Sequence, residues 1–158
     1  MNLARLLLLV LIGSSCSPAQ AFQVEGFHSG MTKAEVEAKL AGWNRVSEVE
    51  PHTIVAIDKA GNASSFNFCQ GKLVSMQQNL KPTLRQFSLA VRDFNSKFGQ
   101  PFSSAAGSRI HAQGQIDEIG IWWRDGNEYV SVYYMGTPLG ESLSVSYQTP
   151  NQCFKVPR

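Results

Sequence analysis

Apolar and polar positions alternate at helical spacing in two segments of the chain. Val36 and Leu40 are four residues apart and share one helix face, and Thr32 precedes Glu35 at the spacing of a capping box. The second segment begins at Thr83, its predicted N-cap. Its apolar side chains recur every three or four positions, which predicts an amphipathic helix. They are Leu84, Phe87, Val91, Phe94 and Phe98.

Strand signals follow each predicted helix. After the first helix, Thr53–Ile57 is rich in β-branched residues, Phe66 and Phe68 alternate with polar neighbours, and residues 73–80 continue the pattern. These three stretches predict a three-strand meander. After the second helix, residues 103–108 are mainly Ser, Ala and Gly, which predicts a loop. Further strands are predicted beyond that loop, at 109–113, 118–124, 128–135 and 142–148.

The repeated order of one helix followed by strands predicts an α+β fold. Strands that are joined by short turns must run antiparallel. We therefore expect two tandem units, each a helix followed by an antiparallel β-meander, at about 26–80 and 82–150. Both halves would belong to a single mature domain, 22–158. Each sheet would pack one face on its helix and leave the other face free.

The hairpin at Asp125-Gly126 divides the side chains of its two strands between opposite faces. Successive side chains alternate, and a tight turn at this place fixes the register. One face is apolar and is expected to pack against the second helix. It carries Ile119, Ile121, Trp123, Val130, Val132 and Tyr134.

The opposite face of this hairpin carries Trp122, Tyr129, Ser131 and Tyr133. Trp and Tyr bury much area with few rotatable bonds, so on an uncovered face they are typical of protein interfaces. We therefore predict that Trp122, Tyr129 and Tyr133, together with Arg124, bind a partner protein. The alternative is that another strand, the first sheet or the N-terminal segment covers these aromatic side chains.

The N-terminal 21 residues have the pattern of a cleavable signal peptide. A positive charge at Arg5 precedes a short apolar run, and Ala19-Gln20-Ala21 supplies the small residues that signal peptidase requires. Cleavage after Ala21 would place the mature protein outside the cytoplasm, in the periplasm or secreted. Lipid anchoring at Cys16 is the alternative: Ser14 and Ser15 suit a lipoprotein signal, whereas Gly13 does not.

Cleavage after Ala21 leaves two cysteines, Cys69 and Cys153, in the mature chain. Exported chains fold in an oxidising compartment, where two cysteines most often pair. We therefore predict a Cys69–Cys153 disulfide. A catalytic thiol is the alternative, but neither cysteine has a neighbouring His or C-x-x-C spacing.

Charge and motif content exclude several classes of function. The chain has 14 Lys and Arg against 12 Asp and Glu, and Arg5 is the only charged residue of 1–21, so the mature net charge is about +1. A net charge this small does not indicate binding to nucleic acid or to anionic lipid. No stretch of the mature sequence is apolar enough to cross a membrane. The sequence has no nucleophile elbow, phosphate-binding loop or zinc-ligand spacing, so no metal, cofactor or catalytic residue is predicted.

The first helix start resembles a known family. Gly30-Met31-Thr32, Glu35-Val36 and Leu40 resemble the opening of the small outer-membrane assembly lipoproteins. The tandem order of helix and meander resembles the beta-lactamase inhibitory protein superfamily. The resemblance covers about residues 26–150 and implies protein–protein binding rather than catalysis.

These observations lead to one expected function with two alternatives. We expect an exported, non-enzymatic protein-binding module of the cell envelope, whose partner is another envelope or secreted protein. Inhibition of a secreted enzyme would be a sharper form of this function, and it rests on analogy of fold alone. The alternatives are a structural envelope-maintenance factor without a discrete target and an unrecognised hydrolase.

Overall fold

Eight strands form one antiparallel sheet in the computed structural model, which describes residues 22–112 and 114–155. The strands lie in the order β3-β4-β5-β6-β10-β9-β8-β7, and β1 pairs with β2 in a separate ribbon. The elements are β1 (Gln23–Val24), β2 (Phe27–His28), α1 (Lys33–Leu40), β3 (Arg45–Glu50), β4 (Thr53–Ile57), β5 (Ala63–Cys69), β6 (Lys72–Leu80), α2 (Leu84–Phe98), β7 (Ser103–His111), β8 (Gly114–Asp125), β9 (Glu128–Thr137) and β10 (Gly140–Gln148).

The predicted α+β fold of two tandem helix-plus-meander units is wrong. The described part of the chain is 54% strand and has two helices, so the architecture is mostly β. Strands β6 and β10 pair directly, from Leu143 opposite Leu80 to Gln148 opposite Ser75. This pairing joins all eight strands into one sheet. In two separate sheets, β6 and β10 would each be an edge strand with a row of unpaired backbone hydrogen-bonding groups.

The two edge strands are the elements that the sequence pattern missed. β3 was not predicted, and residues 103–108, predicted as a loop, form the first part of β7. Most positions of both strands are exposed, so neither strand has the alternation of apolar and polar residues that a half-buried strand shows. Their hydrogen bonds to β4 and β8 make them strands instead.

Both helices begin at the predicted caps. The Thr32 hydroxyl accepts a hydrogen bond from the Glu35 backbone N–H at 3.3 Å, and the Glu35 carboxylate accepts one from the Thr32 N–H at 2.7 Å. At the second helix, the Thr83 hydroxyl accepts from the Gln86 N–H at 3.1 Å. These bonds satisfy donors that the first turn of a helix leaves unpaired.

The hydrophobic core lies between the helices and one face of the sheet. Trp123 is fully buried there, and its ring contacts the Phe94 ring of α2 with 5.4 Å between centroids. The ribbon adds Phe22 and Phe27. Other buried members of the core are Met31, Val36, Leu40, Ile54, Ala56, Phe66, Phe68, Leu73, Met76, Ala90, Val130, Val132, Leu143, Val145 and Tyr147. Leu84, which belongs to the predicted apolar stripe, is instead 78% exposed.

A disulfide joins the end of β5 to the C-terminal segment. Cys69 and Cys153 are bonded; their Cα atoms are 5.7 Å apart and the two residues are separated by 84 positions in the sequence. The same segment is held by the Thr149 N–H, which donates to the Val74 carbonyl at 2.9 Å. This is the predicted pairing, and it is compatible with an oxidising compartment.

Predictions for the N-terminal 21 residues lie outside the described part of the chain. They are the signal peptide and the alternative lipid attachment at Cys16. Among the described residues, neither helix combines the length and the apolar character needed to cross a bilayer.

Candidate partner-binding surface

The sheet has a second face, on the side opposite to both helices. We call it the open face. Trp122 and Trp123 are neighbours on β8 and point to opposite sides: Trp123 lies in the core, whereas Trp122 is partly exposed on the open face. Trp122 is paired with Ser131, and Arg124 with Tyr129. The predicted division of side chains between the faces is therefore the observed one.

A hollow of about 440 Å³ lies at the centre of the open face. Its floor consists of small side chains, among them Ser131, Ser144 and Ser146, which come from β9 and β10. Longer side chains flank them, with Trp122, Tyr133 and Met135 on one side and Gln77 and Asn79 on the other. The hollow spans four neighbouring strands, β6, β10, β9 and β8, and so includes the join between β6 and β10.

Trp122 lies across Gly120, two positions earlier on the same strand. A Cβ atom at Gly120 would be 2.2 Å from Cη2 of the Trp122 indole and 2.6 Å from Cζ2. These distances are far below van der Waals contact, so only glycine leaves space for the indole in this position. Gly120 therefore determines how the indole presents its surface beside the hollow.

Tyr133 belongs to a polar chain that crosses three strands. Its hydroxyl donates a hydrogen bond to the Glu118 carboxylate, and Arg109 of β7 is 3.5 Å from the other carboxylate oxygen of Glu118. Burial raises the pKa of Tyr133, and the hydrogen bond to Glu118 raises it further. The phenol is thus held protonated and in a fixed direction beside the hollow.

Tyr129 and Arg124 form a second cluster near the β8–β9 turn. The Arg124 guanidinium donates to the Tyr129 hydroxyl at 3.1 Å and lies 4.9 Å from the centroid of the same ring. Phe102, which is 44% exposed, lies 5.2 Å from the guanidinium and 6.1 Å from the Tyr129 ring. Such contacts between a cation and aromatic rings hold the Arg124 side chain in place before a partner arrives.

The open face thus holds all four predicted partner-binding residues. Trp122 and Tyr133 line the hollow, and Arg124 and Tyr129 form the cluster near the turn. Phe102, Glu118, Arg109 and the serine floor were not predicted. The sequence pattern could not have identified Phe102, because it follows Pro101 outside any periodic segment. The serines at 142, 144 and 146, in contrast, alternate along one strand and could have indicated a polar sheet face.

The helix side has an apolar groove of similar volume. A groove of about 440 Å³ lies at the start of α2, lined by Leu84, Phe87, Ile119 and Tyr134 among others. Leu84 and Ile119 are both exposed. Its wall also holds Tyr134, whose pKa is raised mainly by a hydrogen bond to the Glu141 side chain, so the groove combines apolar and polar groups.

Ionisable groups on the described residues do not form a metal site: no cluster of three or more His, Cys, Asp or Glu side chains occurs within 22–112 and 114–155. Asp117 and Glu118 are adjacent on β8 and therefore point to opposite faces of the sheet, and Glu118 contacts Tyr133 on the open face. These two carboxylates therefore cannot act on one substrate.

Comparison with known proteins gives no relative: no protein-family model, curated protein or solved structure matches the chain. The resemblance to the outer-membrane assembly lipoproteins and the beta-lactamase inhibitory proteins stays a prediction.

The Gly120→Ala variant is expected to displace the Trp122 indole while leaving the sheet intact. The new methyl group overlaps the ring, and overpacking of this kind costs about 1–3 kcal/mol. Iodide quenching of tryptophan fluorescence should increase as the indole moves off the strand. Gly107→Ala is the matched control, because it lies on the adjacent strand opposite Glu118 and a Cβ there meets nothing within 4 Å. Equal quenching in the two variants would contradict the role of Gly120.

Proposed function

We propose that the protein is an exported, non-enzymatic protein-binding module of the cell envelope. The observation that carries the proposal is the set of aromatic side chains on a sheet face that neither helix covers. Trp122, Tyr129 and Tyr133 are all partly exposed there. Aromatic residues suit interfaces because each ring removes much apolar surface from water and loses few rotamers on binding.

The shape of the open face favours a protein partner with a protruding loop or side chain. The hollow has a floor of serine hydroxyls and walls of Trp122, Tyr133 and Met135. An inserted side chain would lose water on all sides and find hydroxyl donors and acceptors beneath it. Central, desolvated pockets of this kind are where interface energy is concentrated.

The charges on the open face favour an acidic group on the partner. Arg124 is held between Phe102 and Tyr129, and none of the ion pairs formed by the described residues includes it. Its guanidinium can still donate two N–H hydrogen bonds to a carboxylate. Arg109, in contrast, is already close to Glu118. We therefore propose that Arg124 marks the end of the interface and pairs with an acid.

The Trp122→Ala/Tyr129→Ala/Tyr133→Ala variant is expected to lose its partner. The test is a crosslinking pull-down from the native envelope, with the folding of each variant established by circular dichroism. Truncation of an aromatic hot-spot residue costs about 2 kcal/mol or more, so the combined loss should exceed a thousandfold in affinity. A protein captured by the wild type should be absent from the variant.

A matched control removes the same number of exposed apolar side chains from outside the open face. Leu84→Ala/Ile119→Ala/Leu139→Ala alters three exposed positions, of which Leu84 and Ile119 line the groove on the helix side. This control variant should capture the partner as the wild type does. If the control loses the partner and the aromatic variant retains it, binding takes place on the helix side and the proposed surface is wrong.

A further inference from the structure

Glu128, at the start of β9, is a buried acid with one carboxylate oxygen that no described residue bonds. The residue is 3% exposed, and its Oε1 atom accepts no hydrogen bond from residues 22–112 or 114–155. Burial, together with the negative charge of nearby Asp125, raises the pKa of Glu128 to about 8. A buried carboxyl oxygen without a donor is costly, and in native proteins it usually indicates a group that is missing from the site.

The start of the described chain lies at the same cavity as this acid. A small cavity of about 150 Å³ lies beside Glu128, and Phe22, Gln23 and Val24 form part of its wall. Phe22 is itself buried, at 3% exposure, and its ring contacts Tyr147 with 6.2 Å between centroids. The Phe22 carbonyl accepts a hydrogen bond from the Ser29 N–H at 3.2 Å. The first residue after Ala21 is therefore fixed at the cavity.

Among the described residues that line this cavity, Lys97 is the cationic one. Its Nζ atom lies 4.8 Å above the centroid of the Phe98 ring. Among the ion pairs of the described residues, none joins Lys97 to Glu128. Its attraction is also the smallest of the three influences on the pKa of Glu128. Lys97 therefore leaves the Glu128 carboxylate without a close positive charge.

We propose that the α-ammonium group created by cleavage between Ala21 and Phe22 is the missing partner of Glu128. A signal peptidase would hydrolyse the Ala21–Phe22 peptide bond with one water molecule, leaving a carboxylate on Ala21 and an ammonium on Phe22. That ammonium enters the cavity and donates to the Glu128 carboxylate. The proposal rests on the cleavage predicted from Ala19-Gln20-Ala21 and is independent of partner binding at the open face.

This ion pair makes folding stability depend on cleavage. In the uncleaved chain, the folded-state pKa of Glu128 lies above its ordinary value of 4.5. The folded state then holds an extra proton between about pH 4.5 and 8, so stability falls as pH rises through this window. In the cleaved chain the ammonium lowers the pKa of Glu128, so stability no longer decreases with rising pH in this window. The other ionisable groups that face the site are Asp125, Lys97 and Tyr147, with Glu25 beyond Tyr147.

The test measures the pKa of the α-amine in the exported protein. Intact mass and N-terminal sequencing first identify the terminus, which should be Phe22. The rate of acylation of this amine is then followed against pH. A free α-amine has a pKa of about 7.7–8.0. Pairing with Glu128 should raise the pKa by more than one unit and slow acylation at pH 7.5 about tenfold relative to Glu128→Gln. Glu37→Gln, an exposed acid on α1, should acylate as the wild type does.

A second variant keeps the test valid if Glu128→Gln does not fold. A chain that retains Ala21 before Phe22 keeps Glu128 and displaces the ammonium from the cavity. Its unfolding midpoint should decrease as the pH rises from 5 to 8, whereas the midpoint of the Phe22-terminated chain should stay nearly constant. A terminus other than Phe22, an acylated Cys16 included, overturns the proposal. So does an α-amine with an ordinary pKa in the wild type, or the same pH dependence in both chains.

Discussion

Trp123→Ala should lower the free energy of unfolding by about 3–5 kcal/mol. The indole is fully buried between α2 and the sheet, in edge-to-face contact with Phe94. Its N–H also donates to the Asn95 side chain and to the Gly99 carbonyl, both at 3.1 Å. Removing the indole creates a large cavity and leaves these two acceptors without their donor, so two destabilising effects act together.

The adjacent residue provides the control for this prediction. Trp122→Ala removes the same side chain from the next position of β8, but from the open face. Its effect on stability should be within about 1 kcal/mol, since partly exposed side chains lose little burial on truncation. Urea unfolding of both variants at one pH makes the comparison. Equal losses of stability would show that the two faces are not buried as described.

Breaking the Cys69–Cys153 disulfide should cost about 4–5 kcal/mol by the chain-entropy relation for a closure of this length. The bond spans 84 positions and therefore restricts a large part of the unfolded chain. The Cys69→Ala/Cys153→Ala variant is compared with the wild type in urea, with and without reductant. Reductant should lower the midpoint of the wild type only.

The same prediction has a chemical check. Intact-mass analysis of residues 22–158 after alkylation should show no modified cysteine in the unreduced protein and two after reduction. Alkylation of both thiols without reduction would contradict the disulfide. The β6–β10 pairing and the Thr149–Val74 hydrogen bond remain in the double alanine variant, so the sheet should still form at low temperature.

Local sequence patterns predicted the faces of the central strands well. The Asp125-Gly126 turn sets the register of β8 and β9, and each residue then alternates between the core and the open face. Ile121 opposite Val132 and Trp123 opposite Val130 follow directly. The same reasoning identified the side of the sheet to which Trp122, Tyr129 and Tyr133 belong.

The architecture failed to follow from the sequence because it depends on distant strands. β6 and β10 are far apart along the chain, and no turn links them to reveal their pairing. The edge strands β3 and β7 are defined by hydrogen bonds rather than by apolar alternation. Local patterns carry information on helix caps and tight turns but little on which strands become neighbours.

Details of the two sites also depended on the folded chain. The need for glycine at position 120 arises only because the Trp122 indole lies across it. Glu128 has no special sequence context, and its unpaired state became visible only when burial and the position of Phe22 were known together. Such features come from contacts between side chains on separate elements, which spacing along one strand does not reveal.

Site-specific photo-crosslinking in the native envelope tests the binding surface most directly. A benzophenone side chain is introduced at Ser142 or Met135, which border the hollow, and at Leu84 or Ser88, which lie on the helix side. The account predicts a discrete adduct of one partner protein from the first two positions and none from the second two. Adducts only from Leu84 or Ser88, or none from Ser142 and Met135, would contradict binding at the open face.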